Sequence, residues 1–154
     1  MRLYEELVRI VDALHAADVP FAICGGLAVA IHGYVRATKD IDLLVPGSSV
    51  DAAKAAVKPL GFFLPAEPMT FDAGTPRARR VHRVSKIEGE DRMVLDLLEV
   101  SDPDQEVWAS RLVVEWEGKR LCVVSREGLG RMKRLAGREQ DLLDLKTLGI
   151  GQDE

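Results

Sequence analysis

Asp40-Ile41-Asp42-Leu43-Leu44-Val45, closed by Pro46-Gly47, is the stretch on which the reading of this chain turns. Its apolar run reads as a strand, and the Pro-Gly pair ends it. Side chains alternate along a strand, so Asp40 and Asp42 share one face with their Cα atoms about 6.6 Å apart while Ile41 points into the core. Carboxylates that close repel one another unless a cation lies between them. Hard oxygen donors favour Mg²⁺ or Mn²⁺, and two such ions about 3.5–4 Å apart can be held by a carboxylate pair. Taken alone, an Asp-x-Asp is more simply a strand end with two solvated acids.

The neighbouring segments change that balance. Upstream, Phe21-Ala22-Ile23-Cys24 reads as a short buried strand turned sharply by Gly25-Gly26, with a short helix from Leu27 to Tyr34 after it. Glycine lets the backbone come close to a bulky anion, and the amides of a first helical turn point towards it. Downstream, Asp96 interrupts the apolar run Met93-Val94-Leu95-Asp96-Leu97-Leu98. A buried carboxylate without a partner costs several kcal/mol, so Asp96 requires a cation. A third metal ligand satisfies it; so does an arginine, or exposure at a sheet edge. If Asp96 faced away from the earlier pair, or were locked onto a guanidinium, only a generic sandwich would be left.

Further out, Leu3, Leu7, Ile10, Val11 and Leu14 form one face of a helix that Pro20 stops. Ser48, three residues before Asp51, is a capping-box-like start to a helix reaching about Lys58, ended by Pro59 and Gly61. Gly61 to Pro76 is loop-like with one or two irregular strands, and Arg79–Ile87 and Met93–Val100 read as strands. Leu112–Trp116 and Lys119–Val124 flank Glu117-Gly118 as a hairpin. Two helices, Ser125–Ala136 and Arg138–Leu148, close the chain. This order predicts an α+β fold, an α/β sandwich with helices packed on a mixed β-sheet, as a single domain over 1–154.

Composition agrees. A chain of 154 residues is about one domain, and 47% hydrophobic with 30% charged residues excludes a disordered or fibrous class. The net charge of −4 argues against a general polycationic nucleic-acid binder. Cys24 and Cys122 lie far apart in apolar stretches and read as buried thiols of a reducing compartment. Acidic Glu5 and Glu6 stand where a signal peptide needs an apolar run, and Val19 to Ile31 is broken by Pro20, Gly25 and Gly26, so a cytoplasmic location is expected. Arg77, Arg79, Arg80, Arg83 and Lys86 form one basic cluster, and Arg126, Arg131, Lys133, Arg134 and Arg138 another. Solvated faces explain such runs by default; facing the acids, they could neutralise a triphosphate or an RNA backbone. Trp108 and Trp116 suit the core or the hairpin, and His15, His32 and His82 have no metal-site spacing.

The combination of Gly25-Gly26, thirteen residues, Asp40-Ile41-Asp42 and a later strand carboxylate at Asp96 resembles the polymerase-β-like nucleotidyltransferase superfamily. Arg36-x-Thr38-x-Asp40-Ile41-Asp42, with Lys133 and Arg138-x-x-Asp141-x-x-Asp144 in the tail, is similar to the small bacterial nucleotidyltransferase-like proteins related to the AbiEii toxins. The resemblance implies that Asp40 and Asp42 ligate two Mg²⁺ (or Mn²⁺) ions and that Asp96 ligates the catalytic one near the acceptor hydroxyl. It also implies that Gly25 and Gly26 contact the phosphates of a nucleoside triphosphate, with Arg36, Thr38 and Lys133 as further phosphate contacts. The activity expected is NMP transfer to an acceptor hydroxyl, on RNA, a protein or a small molecule, with an antitoxin as a potential partner. A catalytically inactive binding module of the same fold is the alternative. AbiEii-type proteins usually continue into a larger helical domain, so acceptor recognition is the part the resemblance leaves open.

Overall fold

The apolar stripe of the first segment forms helix α1 (Leu3–Ala16), burying Leu7, Ile10, Val11 and Leu14, in a computed structural model that describes residues 2–33, 40–76, 78–136, 139–147 and 149. Backbone capping ends it, Val19 N–H bonding back to the Leu14 carbonyl at 2.9 Å just before Pro20. Strand β1 (Ala22–Cys24) then enters helix α2 (Gly25–Ile31) directly, two residues earlier than expected. Strand β2 (Asp40–Val45) follows, then helix α3 (Val50–Val57), and the short strands β3 (Leu64–Pro65) and β4 (Met69–Phe71). Two long strands, β5 (Arg79–Glu88) and β6 (Asp91–Glu99), make a hairpin. Helix α4 (Gln105–Ala109), strands β7 (Leu112–Trp116) and β8 (Lys119–Val123), and helices α5 (Arg126–Ala136) and α6 (Glu139–Thr147) complete the described chain.

All eight strands belong to one mixed sheet, ordered β3-β5-β6-β2-β1-β8-β7 with β4 also on β5. The β2/β6 and β1/β8 pairs are parallel, and the others are antiparallel. Central strands must be apolar on both faces, which is why β1 and most of β2 read as unbroken hydrophobic runs. Ile23, Leu43 and Leu97 meet in register, each fully buried, and belong to the one core cluster that also takes in α1, α3 and α5.

Helix α1 straps the back of the sheet. Towards one edge of the sheet Lys86 of β5 donates to Glu6 Oε1 at 2.8 Å, both side chains nearly buried, with the ammonium 5.8 Å from the Phe62 ring centre. Towards the other edge, the Tyr4 hydroxyl donates to the Glu117 carbonyl at 2.7 Å, its ring lies edge-on to Trp116, and Lys119 reaches Asp12 at 2.6 Å.

The structure corrects three local expectations. No Ser48 capping box forms: Gly47–Ser49 is one 3-10 turn, closed by Ser49 N–H on the Pro46 carbonyl at 2.9 Å, with no side-chain cap on α3. Helix α4 was not expected, although Ser101 Oγ donates to Asp104 Oδ2 at 2.9 Å in the turn that starts it. Cys122 is only half-buried, whereas Cys24 is a core thiol; both are free. The Glu117-Gly118 turn matches its prediction, since φ values of 52° and 77° are those of a type I′ hairpin. Among the described residues no helix is long and apolar enough to cross a membrane.

Removing one partner of a buried ion pair leaves an uncompensated charge, whereas removing both need not. Lys86→Met should therefore lower unfolding stability by about 3–5 kcal/mol, and adding Glu6→Leu should recover most of it, measured by urea denaturation.

Candidate active site

Strand register brings the acids together. Cys24 stands opposite Asp42, Asp42 opposite Asp96, and Asp96 opposite Arg83, so one row of four side chains crosses β1, β2, β6 and β5 on a single face. Adjacent strands lie about 4.8 Å apart, which sets two carboxylates side by side in the middle of the row. Asp40 is two residues from Asp42 on the same face and is exposed. Asp96 is buried, at 7% exposure.

The cation that Asp96 requires is Arg83. Its Nε donates to Oδ1 at 2.8 Å and its Nη2 to Oδ2 at 3.0 Å, a two-pronged contact. The hydrogen bond to Asp96 raises the Arg83 pKa; burial opposes that, and the charges of Asp96, Asp40 and Asp42 add to it, so one guanidinium feels all three carboxylates. Asp96 thus lies in register beside Asp42 but is locked onto a guanidinium, the outcome for which the carboxylates alone support only a generic sandwich; a transferase reading has to rest on other ground.

Glycine at 25 is required twice. Its φ is +65°, and a Cβ there would stand 2.1 Å from Asp42 Oδ2, so the Asp42 carboxylate occupies the space a side chain would need. Gly25 and Gly26 line a cavity of about 480 Å³ together with Cys24, Asp40, Asp42, Asp96 and Arg83. Met69 and Phe71 of β4, Arg79 and Val81 of β5, and Leu98 of β6 extend its wall; Leu129, Met132, Lys133 and Asp141 come from the helices.

Among the described residues no three His, Cys, Asp or Glu side chains are grouped so as to hold a metal ion. The donors nevertheless suit a hard divalent cation: Asp40 and Asp42 present carboxylate oxygens on one face, beside a residue that leaves room for them. Both oxygens of Asp96 are engaged by Arg83.

Lys133 lines the cavity but is buried, at 4% exposure, with its ammonium 2.8 Å from Asp144 and 3.4 Å from Asp141. It ties α5 to α6, and two acids share its charge. Arg36, Thr38, Arg77 and Arg138 lie outside the described residues. The basic clusters split by strand face: Arg79 and Arg83 look into the cavity, while Lys86 turns to Glu6, Arg80 lies 3.9 Å from Glu99, and Arg131 pairs with Glu106. Trp108 stacks under Arg111 at 3.9 Å and Trp116 meets Tyr4, so neither tryptophan reaches the cavity wall. Met69 and Phe71 were not foreseen as cavity residues; Arg79 had been named only within the basic cluster, and its spacing with Val81 and Arg83 at every second position puts the three on one face.

Cys24 ends the acidic row. Burial pushes its thiol pKa well up, and the charges of Asp42, Asp104 and Asp96 push it further against the opposing charge of Lys133. It is a neutral thiol in the floor of the site, not a nucleophile.

The family profile described as aminoglycoside-2''-adenylyltransferase matches residues 6–148. No curated protein matches the chain. Among solved structures, lincomycin-bound LnuA, a lincosamide antibiotic adenylyltransferase, is similar with a TM-score of 0.61 at 16% identity, covering 94% of this chain and 95% of that one. ANT(2'')-Ia in complex with adenylyl-2''-tobramycin gives 0.63 at 19% identity, covering 92% and 84%. A candidate nucleotidyltransferase from Thermotoga maritima gives 0.66 at 17% identity, covering 94% and 90%. At these identities the likeness concerns the fold, which is a nucleotidyltransferase fold.

Two measurements check the geometry. Gly25→Ala should cost about 1–3 kcal/mol of stability, and a double-mutant cycle with Asp42→Ala should show a coupling of about 0.5 kcal/mol or more. Because only the thiolate reacts, iodoacetamide at pH 8 should leave Cys24 unmodified in the native protein and alkylate it in denaturant, read by peptide mass spectrometry.

Proposed function

The chain belongs to the aminoglycoside-2''-adenylyltransferase family, and from that membership we propose that it is a Mg²⁺-dependent (or Mn²⁺-dependent) enzyme moving AMP from ATP to a hydroxyl group of a small-molecule acceptor. The observation that carries this is the family match over residues 6–148, and Asp40 and Asp42 on one face with Gly25 beneath Asp42 agree with it. Gly25, Gly26 and the carboxylates line the same cavity, which supports the reading.

In this reading Asp40 and Asp42 hold the divalent ions. Divalent ions held there would supply charge neutralisation for the triphosphate and a lowered pKa for the attacking hydroxyl. The chain's own groups do the rest. Gly25 and Gly26, lacking side chains, let the phosphates approach the backbone. Asp96, once turned from Arg83, would orient the acceptor hydroxyl and take its proton as the oxygen bonds to the α-phosphorus and pyrophosphate leaves. Arg83 fixes the Asp96 carboxylate beside Asp42; it is a positioning residue whose charge is available to phosphate oxygens when Asp96 turns to the acceptor. Lys133 acts through Asp141 and Asp144, holding α6 against the cavity; as a direct phosphate contact it would first have to leave them.

One observation favours a second reading, a binding module without transferase activity: Asp96 and Lys133 both have their charge committed within the protein. No specific observation favours an RNA or protein acceptor, an antitoxin partner or the AbiEii-type kinship, and none is part of the proposal.

With ATP, Mg²⁺ and a panel of hydroxyl compounds including tobramycin and lincomycin, the protein should release pyrophosphate with at least one acceptor. Asp40→Ala with Asp42→Ala should bring release to background while the fold, followed by circular dichroism, persists. Undiminished release from the double variant refutes the assignment; saturable ATP binding with no release for any acceptor supports the binding module.

A further inference from the structure

The acidic row divides the cavity. Strand order runs β1, β2, β6, β5, β4, so the glycine backbone lies at one end, the carboxylates in the middle and β4 at the other end. Under the nucleotidyltransferase reading, on which this inference rests, phosphates take the glycine end and the acceptor takes the space beyond Asp96.

That space has its own chemistry. Met69 faces Val81 and Val81 faces Leu98 in register, giving an unbroken apolar row across three strands. Phe71 and Arg79 face one another in the next row, and all five side chains line the cavity. Phe71 is 47% exposed, a large aromatic face left open. Arg79 is half-buried and makes no ion pair among the described residues. No carboxylate belongs to these five residues, and the next row inward holds the Arg83–Asp96 ion pair.

We propose that this end is the acceptor subsite and that it takes a hydroxylated compound with an apolar ring face and an anionic substituent. The ring lies on Phe71 and the Met69–Val81–Leu98 row, and the anion meets Arg79. A polycation is disfavoured at this end: its ammonium groups would be desolvated against apolar side chains and stand beside the like charge of Arg79, while Arg83 is neutralised by Asp96. On that chemistry the acceptor differs from the aminoglycosides for which the family is named.

The test uses the full chain with Mg²⁺ and a non-hydrolysable ATP analogue, titrated by calorimetry with three probes: 4-nitrophenyl β-D-glucuronide, 4-nitrophenyl β-D-glucopyranoside and tobramycin. The two glycosides share ring and aromatic group and differ in the carboxylate. The glucuronide should bind about fivefold or more tighter than the glucopyranoside, as expected for a half-buried charge-assisted pair, with tobramycin weakest. Arg79→Gln should abolish the difference between the glycosides, and Phe71→Ala should weaken both. Tobramycin binding tightest, equal affinities for the two glycosides, or no saturable glucuronide binding overturns the proposal. Binding of the ATP analogue in the same titrations reports separately on the nucleotidyltransferase reading, so the two can fail independently.

Discussion

Two carboxylates on neighbouring strands, in register and partly shielded from water, can ionise together only if a positive charge is fixed beside them. In this fold the charge is Arg83, and it comes from the next strand because β5 runs back along β6 and sets residue 83 opposite residue 96. The acidic row, the sharp entry into α2 and the mixed strand order all serve that placement. A parallel β2/β6 pair puts Asp42 and Asp96 abreast, and Gly25 leaves the Asp42 carboxylate the volume it fills.

Much of this could be read from the letters, and the reasons are local. Asp40 and Asp42 stood out because strand alternation puts both carboxylates on one face, and Asp96 because a charge inside an apolar run is costly and needs a partner. Gly25-Gly26 stood out because a buried strand ended there, and Glu117-Gly118 because only certain residues tolerate a tight hairpin. Which cation would meet Asp96 was not legible, since that depends on strand register, which no spacing encodes. An arginine and a metal ion had both been named, and the structure gives Asp96 the arginine, Arg83.

Other parts lay out of reach for similar reasons. Lys133 could be singled out as a cation near the site, but that α6 would fold back and set Asp141 and Asp144 around it is a tertiary fact. The basic cluster from Arg79 to Lys86 looked like one patch in one dimension; strand alternation sends Arg79 and Arg83 to the cavity and Lys86 to the opposite face. Phe71 was hidden in a segment whose prolines and glycines read as loop, and its importance comes from pairing β4 onto β5. Helix α4 escaped because five residues are too few for a helical period to show.

The strap formed by α1 has a consequence for how the molecule is made. Its anchors are Lys86 on one side of the sheet and the Glu117–Lys119 turn on the other, residues that leave the ribosome long after Tyr4, Glu6 and Asp12. During synthesis the polar fastenings of the strap therefore close only after β5 and the β7/β8 turn have emerged, later than the packing of its apolar stripe on α3 can begin. Contacts this distant along the chain slow folding. A helix made before the sheet is fastened only once both sides of the sheet exist.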